Sequence, residues 1–366
     1  MLLYDFSNPT LVLNASAVKQ NYLSFEENFR GVDIYYAVKA NPDNKFLETL
    51  VSLGSGFDAA SLNEIVYCLG AGASPNKISF GNTIKSIEHI SKAYSLGVRL
   101  FAADSEAELA KIALHAPHSD VYIRFLVEND SADWSLGRKF GCVPSKVVSL
   151  LKLAKSIKLN PIGISFHVGS QTRHPAMWDN TLNTASSIWM QAQQEGIQLH
   201  LLNIGGGFPI KYHDEITSQN KYAKYLIGKI ETSFPGITRV MAEPGRALVS
   251  TAGYLVSKIL LVSDRGDNSY RWVYLNVGRF SGLAETESEA IRYRFSVLNR
   301  SNEMAKYRLA GPTCDSADIL YERNVVSLPI DIDCEDTVII HDCGAYTSTY
   351  SSVNFNGFEP LAVIHE

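Results

Sequence analysis

A lysine stands where an apolar run stops: Tyr35-Tyr36-Ala37-Val38-Lys39-Ala40-Asn41-Pro42. The run from Ile34 suits a buried parallel strand, and Asn41-Pro42 ends it. At the carboxyl end of such a strand an ammonium is partly desolvated, which favours the neutral, nucleophilic amine that a Schiff-base lysine requires. Taken alone, Lys39 is equally a strand-end residue whose head reaches water. Other residues share its placement. Asp58 ends a second apolar run, Arg124 lies in a fifth, His167 follows a sixth, Gly205-Gly206-Gly207 a seventh and Glu243-Pro244-Gly245-Arg246 an eighth. Singly, each has a structural explanation: Asp58 as a helix cap, His167 as a satisfied core imidazole, the glycines as a tight turn. Together they describe one site.

The chemistry of that site follows from the groups. Exposed N–H groups of a glycine run cradle a phosphate, and Arg246 adds charge-assisted hydrogen bonds to the same anion. Glu243 then lies close to the phosphate-bearing ligand, with its carboxylate available to a ring nitrogen. An amine that traps an aldehyde, a phosphate cradle and a carboxylate for a pyridinium together point to pyridoxal 5'-phosphate. No His, Cys and carboxylate cluster at zinc spacing competes with it.

The elements that must position these residues repeat a single order of short apolar run, turn and amphipathic helix. Strands are expected at 34–38, 56–59, 78–80, 98–102, 121–125, 162–166, 199–204 and 239–242. Helical periodicity marks 14–29, 44–53, 61–69, 86–96, 105–114 and 147–157. Alternation of this kind implies parallel strands with helical crossovers, and eight strands suggest a closed (β/α)8 TIM barrel whose strand ends converge on one face. No G-x-G-x-x-G opens a helix after the first strand, as an open dinucleotide-binding sheet would require. From about residue 247 the helices give way to short β-branched and aromatic runs at 254–262, 272–275, 291–296, 307–310, 325–329, 337–341 and 361–364. The fold class is therefore α/β, a barrel over 14–246 followed by an all-β domain over 247–366, to which residues 1–13 add a strand at 10–13.

The chain has 366 residues, 46% of them hydrophobic, and a net charge of -5. That length accommodates one large domain and a smaller one. Mild acidity argues against nucleic acid or an anionic membrane as the main partner. The opening MLLYDFSNPT lacks a basic region followed by a long apolar segment, so no signal peptide is expected, and no apolar run approaches bilayer length. The cysteines, Cys68, Cys142, Cys314, Cys334 and Cys343, are scattered, as in a reduced cytoplasmic protein.

Tyr36-Ala-Val-Lys39-Ala-Asn41, Phe57-Asp58-Ala-Ala-Ser61, Phe166-His167-Val-Gly-Ser170, Gly205-Gly-Gly-Phe-Pro209 and Glu243-Pro-Gly-Arg246 resemble the motifs of the barrel-fold, alanine racemase-like pyridoxal-phosphate decarboxylases of basic amino acids. Gly311-Pro-Thr-Cys314-Asp315-Ser-Ala-Asp318, Gly344-Ala-Tyr346 and Phe355-Asn-Gly-Phe358 extend the resemblance to the C-terminus. Within that family the chain is most similar to the ornithine decarboxylases, the bacterial ornithine/lysine forms above all, through Gly282-Leu-Ala-Glu285-Thr and Glu289-Ala-Ile-Arg-Tyr293.

The resemblance implies roles. Lys39 would bond to the cofactor aldehyde, His167 would stack on the ring and Glu243 would pair with the ring nitrogen. Asp58, Glu64 and Arg124 would surround the lysine and ring. Ser170, Gly206, Gly207, Gly245, Arg246 and Tyr346 would hold the phosphate. Cys314 would return a proton to the substrate α-carbon, and Asp315, with Glu289 and Asp318, would receive the distal amine. Cys314, Asp315 and Tyr346 would come from the partner subunit of a head-to-tail homodimer. The implied reaction is decarboxylation of L-ornithine to putrescine, in polyamine synthesis, with L-lysine to cadaverine beside it.

Diaminopimelate decarboxylase shares the His167 and Glu243 motifs, but its substrate carries a second carboxylate, which Asp315 and Asp318 disfavour. Arginine decarboxylase is a further alternative. A non-catalytic regulatory homologue, as antizyme inhibitors are, is disfavoured by intact Lys39, Cys314 and Asp315. Asn203 stands where the family usually has aspartate, a change expected to affect local packing alone.

Overall fold

Eight short, largely buried parallel strands close on themselves, and each of the first seven is followed by a helix of at least two turns. The computed structural model describes residues 7–127, 139–266 and 270–366. A first strand, β1 (Thr10–Leu13), precedes the barrel. Barrel strands are β2 (Val32–Ala37), β3 (Gly56–Ala59), β4 (Ile78–Phe80), β5 (Leu100–Ala103), β6 (Asp120–Arg124), β7 (Asn160–Ser165), β8 (Leu201–Asn203) and β9 (Arg239–Ala242), and β9 pairs back onto β2. Tyr35, Leu100, Ala102, Tyr122, Ile162, Leu201 and Met241, from six of these strands, pack together as one buried cluster.

The longer helices are α1 (Ala15–Asn28), α2 (Asn44–Ser52), α3 (Leu62–Gly70), α4 (Ile87–Ser95), α5 (Glu106–His115), α6 (Val147–Ser156), α7 (Asp179–Gln194) and α8 (Gln219–Ser233). Serine caps start three of them soon after their strands. Ser61, Ser86 and Ser105 each accept the backbone N–H three residues on, which satisfies a donor the helix itself cannot. The loop between β4 and α4 is held by a buried cation. Lys85 Nζ meets Glu108 at 2.9 Å and donates to the carbonyls of Asn82 and Ala102, each at 2.7 Å. Burial lowers its pKa to about 8.

Two compact units divide the chain. The barrel unit comprises 19–210 and 216–248, and the β unit 1–18, 211–215 and 249–366. The inclusion of 211–215 in the β unit had no sequence signal. That unit adds β10 (Gly253–Ser263), β11 (Arg271–Leu275), β12 (Phe295–Val297), β13 (Met304–Ala310), β14 (Ile319–Pro329), β15 (Thr337–Ile340) and β16 (Ala362–His365), with sheet order β12-β15-β10-β11-β13-β14. β1 runs antiparallel to β10 and parallel to β16. β14 is longer than the strand expected at 325–329. Its pairing with β13 shifts register between Tyr307–Val326 and Leu309–Tyr321, so the polar Glu322-Arg323-Asn324 bulges out within a strand rather than ending one.

Candidate active site

Strand pairing of β2 stops at Ala37, and Lys39 sits on the single 3₁₀ turn Val38–Ala40 that follows. Buried Val38 and Ala40 anchor the turn, the Ala37 N–H donates to the Pro244 carbonyl at 3.2 Å, and the Tyr36 hydroxyl donates to the Asn41 carbonyl at 2.7 Å. Lys39 itself is exposed. The desolvated strand-end amine expected from sequence is thus corrected, because the turn lifts the side chain off the strand. Its positive charge still acts on Asp58, Glu64, His167 and Glu243.

Asp58 lies on β3, in register with Ala37 and Ser79. It is buried, and its Oδ1 has no hydrogen-bond partner among the described residues. Burial first, then the Glu243 charge, hold its carboxyl well above the usual range. Gly81 makes the room: a Cβ there would stand 1.8 Å from that oxygen. Glu64 reaches back from the first turn of α3 to the Ala60 N–H at 2.6 Å, and burial raises its carboxyl too. Arg124, the last residue of β6, carries its guanidinium 5.2 Å from the centre of the Phe140 ring.

His167 follows β7. Its Nδ1 accepts the Gly169 N–H at 3.0 Å, which leaves Nε2 as the other functional edge. Burial, followed by the charges of Lys39 and Arg124, pushes its pKa well down, so the ring is neutral. Gly206 is a neighbour of both partners of the site: a Cβ on it would meet the Glu243 carbonyl at 2.7 Å and His167 Nε2 at 3.1 Å. Gly205 and Gly207 have φ of +68° and +105°, the left-handed region that glycine tolerates. The N–H groups of Gly206 and Gly207 donate to nothing in the chain among the described residues, an arrangement suited to an anion. Arg246 is 4% exposed and donates from Nε and Nη2 to the Ser170 hydroxyl at 3.3 and 3.2 Å. Gly245 immediately precedes it and is buried.

Glu243 follows β9, and its N–H is tied to the Gly205 carbonyl at 2.8 Å. Its Oε1 accepts a hydrogen bond from Asn203 Nδ2 at 2.5 Å. Burial raises this carboxyl while the Asn203 bond opposes the rise. Asn203 therefore does more than pack. Its donor role went unseen because residues 203 and 243 belong to different strands; adjacency of the sequence runs around 203 and 243 at the ends of neighbouring strands was the available signal. Gly81 was missed for the same reason.

In the β unit, Cys314 and Asp315 occupy an exposed turn. The Cys314 N–H donates to Asn356 Oδ1 at 3.0 Å, and Asp315 Oδ1 accepts the Ala317 N–H at 2.8 Å. Two residues expected beside the distal amine prove to be engaged by their own chain. Asp318, 3% exposed, accepts from the Arg279 N–H, the Thr313 N–H and the Thr313 hydroxyl at 2.8 to 3.1 Å, and is enclosed by Gly278 and Gly311. Glu289 accepts the N–H groups of Glu322, Arg323 and Asn324 and the Asn324 side-chain amide at 2.5 to 2.9 Å, closing the bulge of β14. Both carboxylates satisfy backbone that would otherwise lack partners. Tyr346 adopts φ +56° and lies 6.0 Å from the Tyr350 ring.

The barrel residues fit pyridoxal phosphate. Lys39 offers an amine, Glu243 a half-buried carboxylate for a ring nitrogen, and Gly206, Gly207, Ser170 and Arg246 a donor set for a phosphate. Fold and site thus define a barrel protein built to carry that cofactor. Residues 15–250 match the family described as pyridoxal-dependent decarboxylase, pyridoxal binding domain. The chain is 33% identical to decarboxylase flvG of Aspergillus flavus, over 97% of this chain and 85% of that one. It is 32% identical to the lysine/ornithine decarboxylase of Selenomonas ruminantium, over 96% and 87%. The crystal structure of the Paramecium bursaria Chlorella virus arginine decarboxylase superposes with a TM-score of 0.89 at 28% identity, covering 98% of this chain and 96% of that one. The chain belongs to the pyridoxal-dependent decarboxylase family.

Proposed function

We propose that the protein decarboxylates a basic amino acid, L-ornithine first and L-lysine beside it, to putrescine and cadaverine. One observation supports the substrate side. Of the three carboxylates expected at the distal amine, Asp315 alone keeps an oxygen without a partner among the described residues, beside the exposed thiol of Cys314. A carboxylate there suits a distal ammonium and repels the second carboxylate of diaminopimelate. The similarity to a lysine/ornithine decarboxylase points the same way, and the likeness to an arginine decarboxylase makes arginine the second substrate to assay.

Bound pyridoxal phosphate supplies a sink for the electron pair left when carbon dioxide departs. The remaining work falls to the chain. Lys39 holds the cofactor through its amine. Glu243 would accept the hydrogen of the ring nitrogen and so keep that nitrogen protonated. Neutral His167 would face the ring without adding a second positive charge. Ser170, Gly206, Gly207, Gly245 and Arg246, with Tyr346, hold the phosphate, while Asp58, Glu64 and Arg124 set the charge around the amine. Cys314 delivers a proton to the substrate α-carbon, and Asp315 fixes the distal ammonium.

Cys314, Asp315 and Tyr346 serve the barrel of a partner chain in a head-to-tail homodimer. An exposed turn and the two-fold symmetry usual in homodimers support this arrangement. Five free cysteines support work in the reducing cytoplasm. The test is carbon dioxide release from L-ornithine, L-lysine, L-arginine and diaminopimelate. Turnover of ornithine or lysine is expected. Turnover of diaminopimelate alone, or of none despite bound cofactor, overturns the reading.

A further inference from the structure

The amide of Asn203 is 1% exposed and makes two opposed hydrogen bonds. Nδ2 donates to Glu243 Oε1 at 2.5 Å, and Oδ1 accepts the Gly205 N–H at 2.9 Å. Chemistry fixes this orientation. A flipped amide would set its oxygen against a carboxylate and its hydrogens against another N–H. One side chain therefore both opens the glycine turn and grips the carboxylate.

Aspartate has the same shape, and either of its oxygens could accept from Gly205. Towards Glu243, however, it could donate only while carrying a proton. Two carboxyl groups at that separation cannot both ionise without strong repulsion. Asparagine donates with no proton of its own to lose. The remaining charged and titratable groups around Glu243 are Lys39 after β2, Asp58 on β3, Tyr122 and Arg124 on β6, and His167 after β7. None of them differs between the two alternatives.

We infer that Asn203 is a positioning residue that holds the Glu243 carboxyl in place for the cofactor ring through a donor that has no proton of its own to lose. The inference rests on the reading of Glu243 as the partner of the ring nitrogen. It distinguishes this chain from any homologue in which a carboxylate pair must share a proton at the same place.

The experiment is direct titration of apoprotein with pyridoxal 5'-phosphate, read as a dissociation constant across pH for wild type, Asn203→Asp and Asn203→Ala. Comparison with wild type at each pH cancels every pH effect that the variants share with it. Asn203→Asp keeps the Gly205 acceptor and hence the turn. It should bind like wild type near pH 6, where the pair shares a proton. Its affinity should then fall at least about tenfold behind wild type by about pH 9, as the second carboxyl ionises. Asn203→Ala, which lacks any donor and so lets the Glu243 carboxyl rise further, should bind more weakly than wild type throughout, with no widening of the gap towards pH 9. A constant ratio between Asn203→Asp and wild type across the range overturns the inference, as does wild-type affinity in Asn203→Ala. Wild type that binds no cofactor at any pH overturns the reading of the pocket itself, and the inference with it.

Discussion

In the barrel, Arg246 is buried and His167 and Glu243 half-buried, and all three are tied before any ligand arrives. Glu243 is gripped by Asn203, His167 by the Gly169 N–H, and Arg246 lies against Ser170. In the β unit, Cys314 and Asp315 stand exposed on a turn that its own backbone bonds hold in shape. Burial in the first region moves the carboxyls of Asp58 and Glu243 up and the imidazole of His167 down. A preorganised pocket stabilises charge that water would otherwise have to rearrange around. An exposed turn acquires comparable leverage only when another surface covers it. The contrast supports the proposed division, with cofactor chemistry in the barrel and substrate contact at the turn.

The strongest way to break that assignment is to remove the amine. Lys39→Ala should abolish borohydride-trapped cofactor, measured as a mass increment on the intact chain; a label surviving on another lysine would remove Lys39 from the role. The next test asks whether turn and barrel come from different chains. Mixed Lys39→Ala and Cys314→Ala proteins should recover about one quarter of wild-type activity, since about half of randomly exchanged dimers are mixed and half of their sites are intact. No recovery after demonstrated subunit exchange would place the whole site in one chain.

Smaller effects sharpen the substrate side. Asp315→Asn should leave cofactor affinity unchanged and lower kcat/KM about ten- to a hundredfold, the equivalent of about 1.5–3 kcal/mol for a lost charge-assisted hydrogen bond. Unchanged kinetics would exclude contact with the ammonium. Glu289→Gln should leave substrate preference alone but reduce stability by roughly 1 kcal/mol, because a neutral amide replaces a charged acceptor at the β14 bulge. Although burial of Glu289 works the other way, the N–H groups of Glu322, Arg323 and Asn324 hold its carboxyl below its ordinary 4.5. Its contribution is therefore present above about pH 4.5 and lost as pH falls through the lower folded value. The stability gap between wild type and variant, read in urea melts, should narrow on acidification.

Periodicity alone determined much of this protein. Strands 56–59, 78–80 and 239–242 and the strand at 10–13 fall where the apolar runs place them, because a run's length and its flanking turn residues act locally. The order of Lys39, Asp58, His167, the glycine run and Glu243 on or just beyond five of the barrel strands was equally legible, since a closed barrel brings the carboxyl ends of its strands to one face. Helices α7 and α8 were not read, their apolar positions being diluted by polar residues.

What only the tertiary structure decided were pairings across long stretches of chain. Asn203 meets Glu243, Glu289 meets the backbone of β14, Asp318 meets Arg279 and Thr313, and Gly81 clears space for Asp58. Exposed Lys39 belongs with them, as does the joining of 211–215 to the β unit. A carboxylate in a sequence has no visible partner. Whether it meets a substrate or its own backbone depends on which N–H groups the fold leaves unpaired beside it.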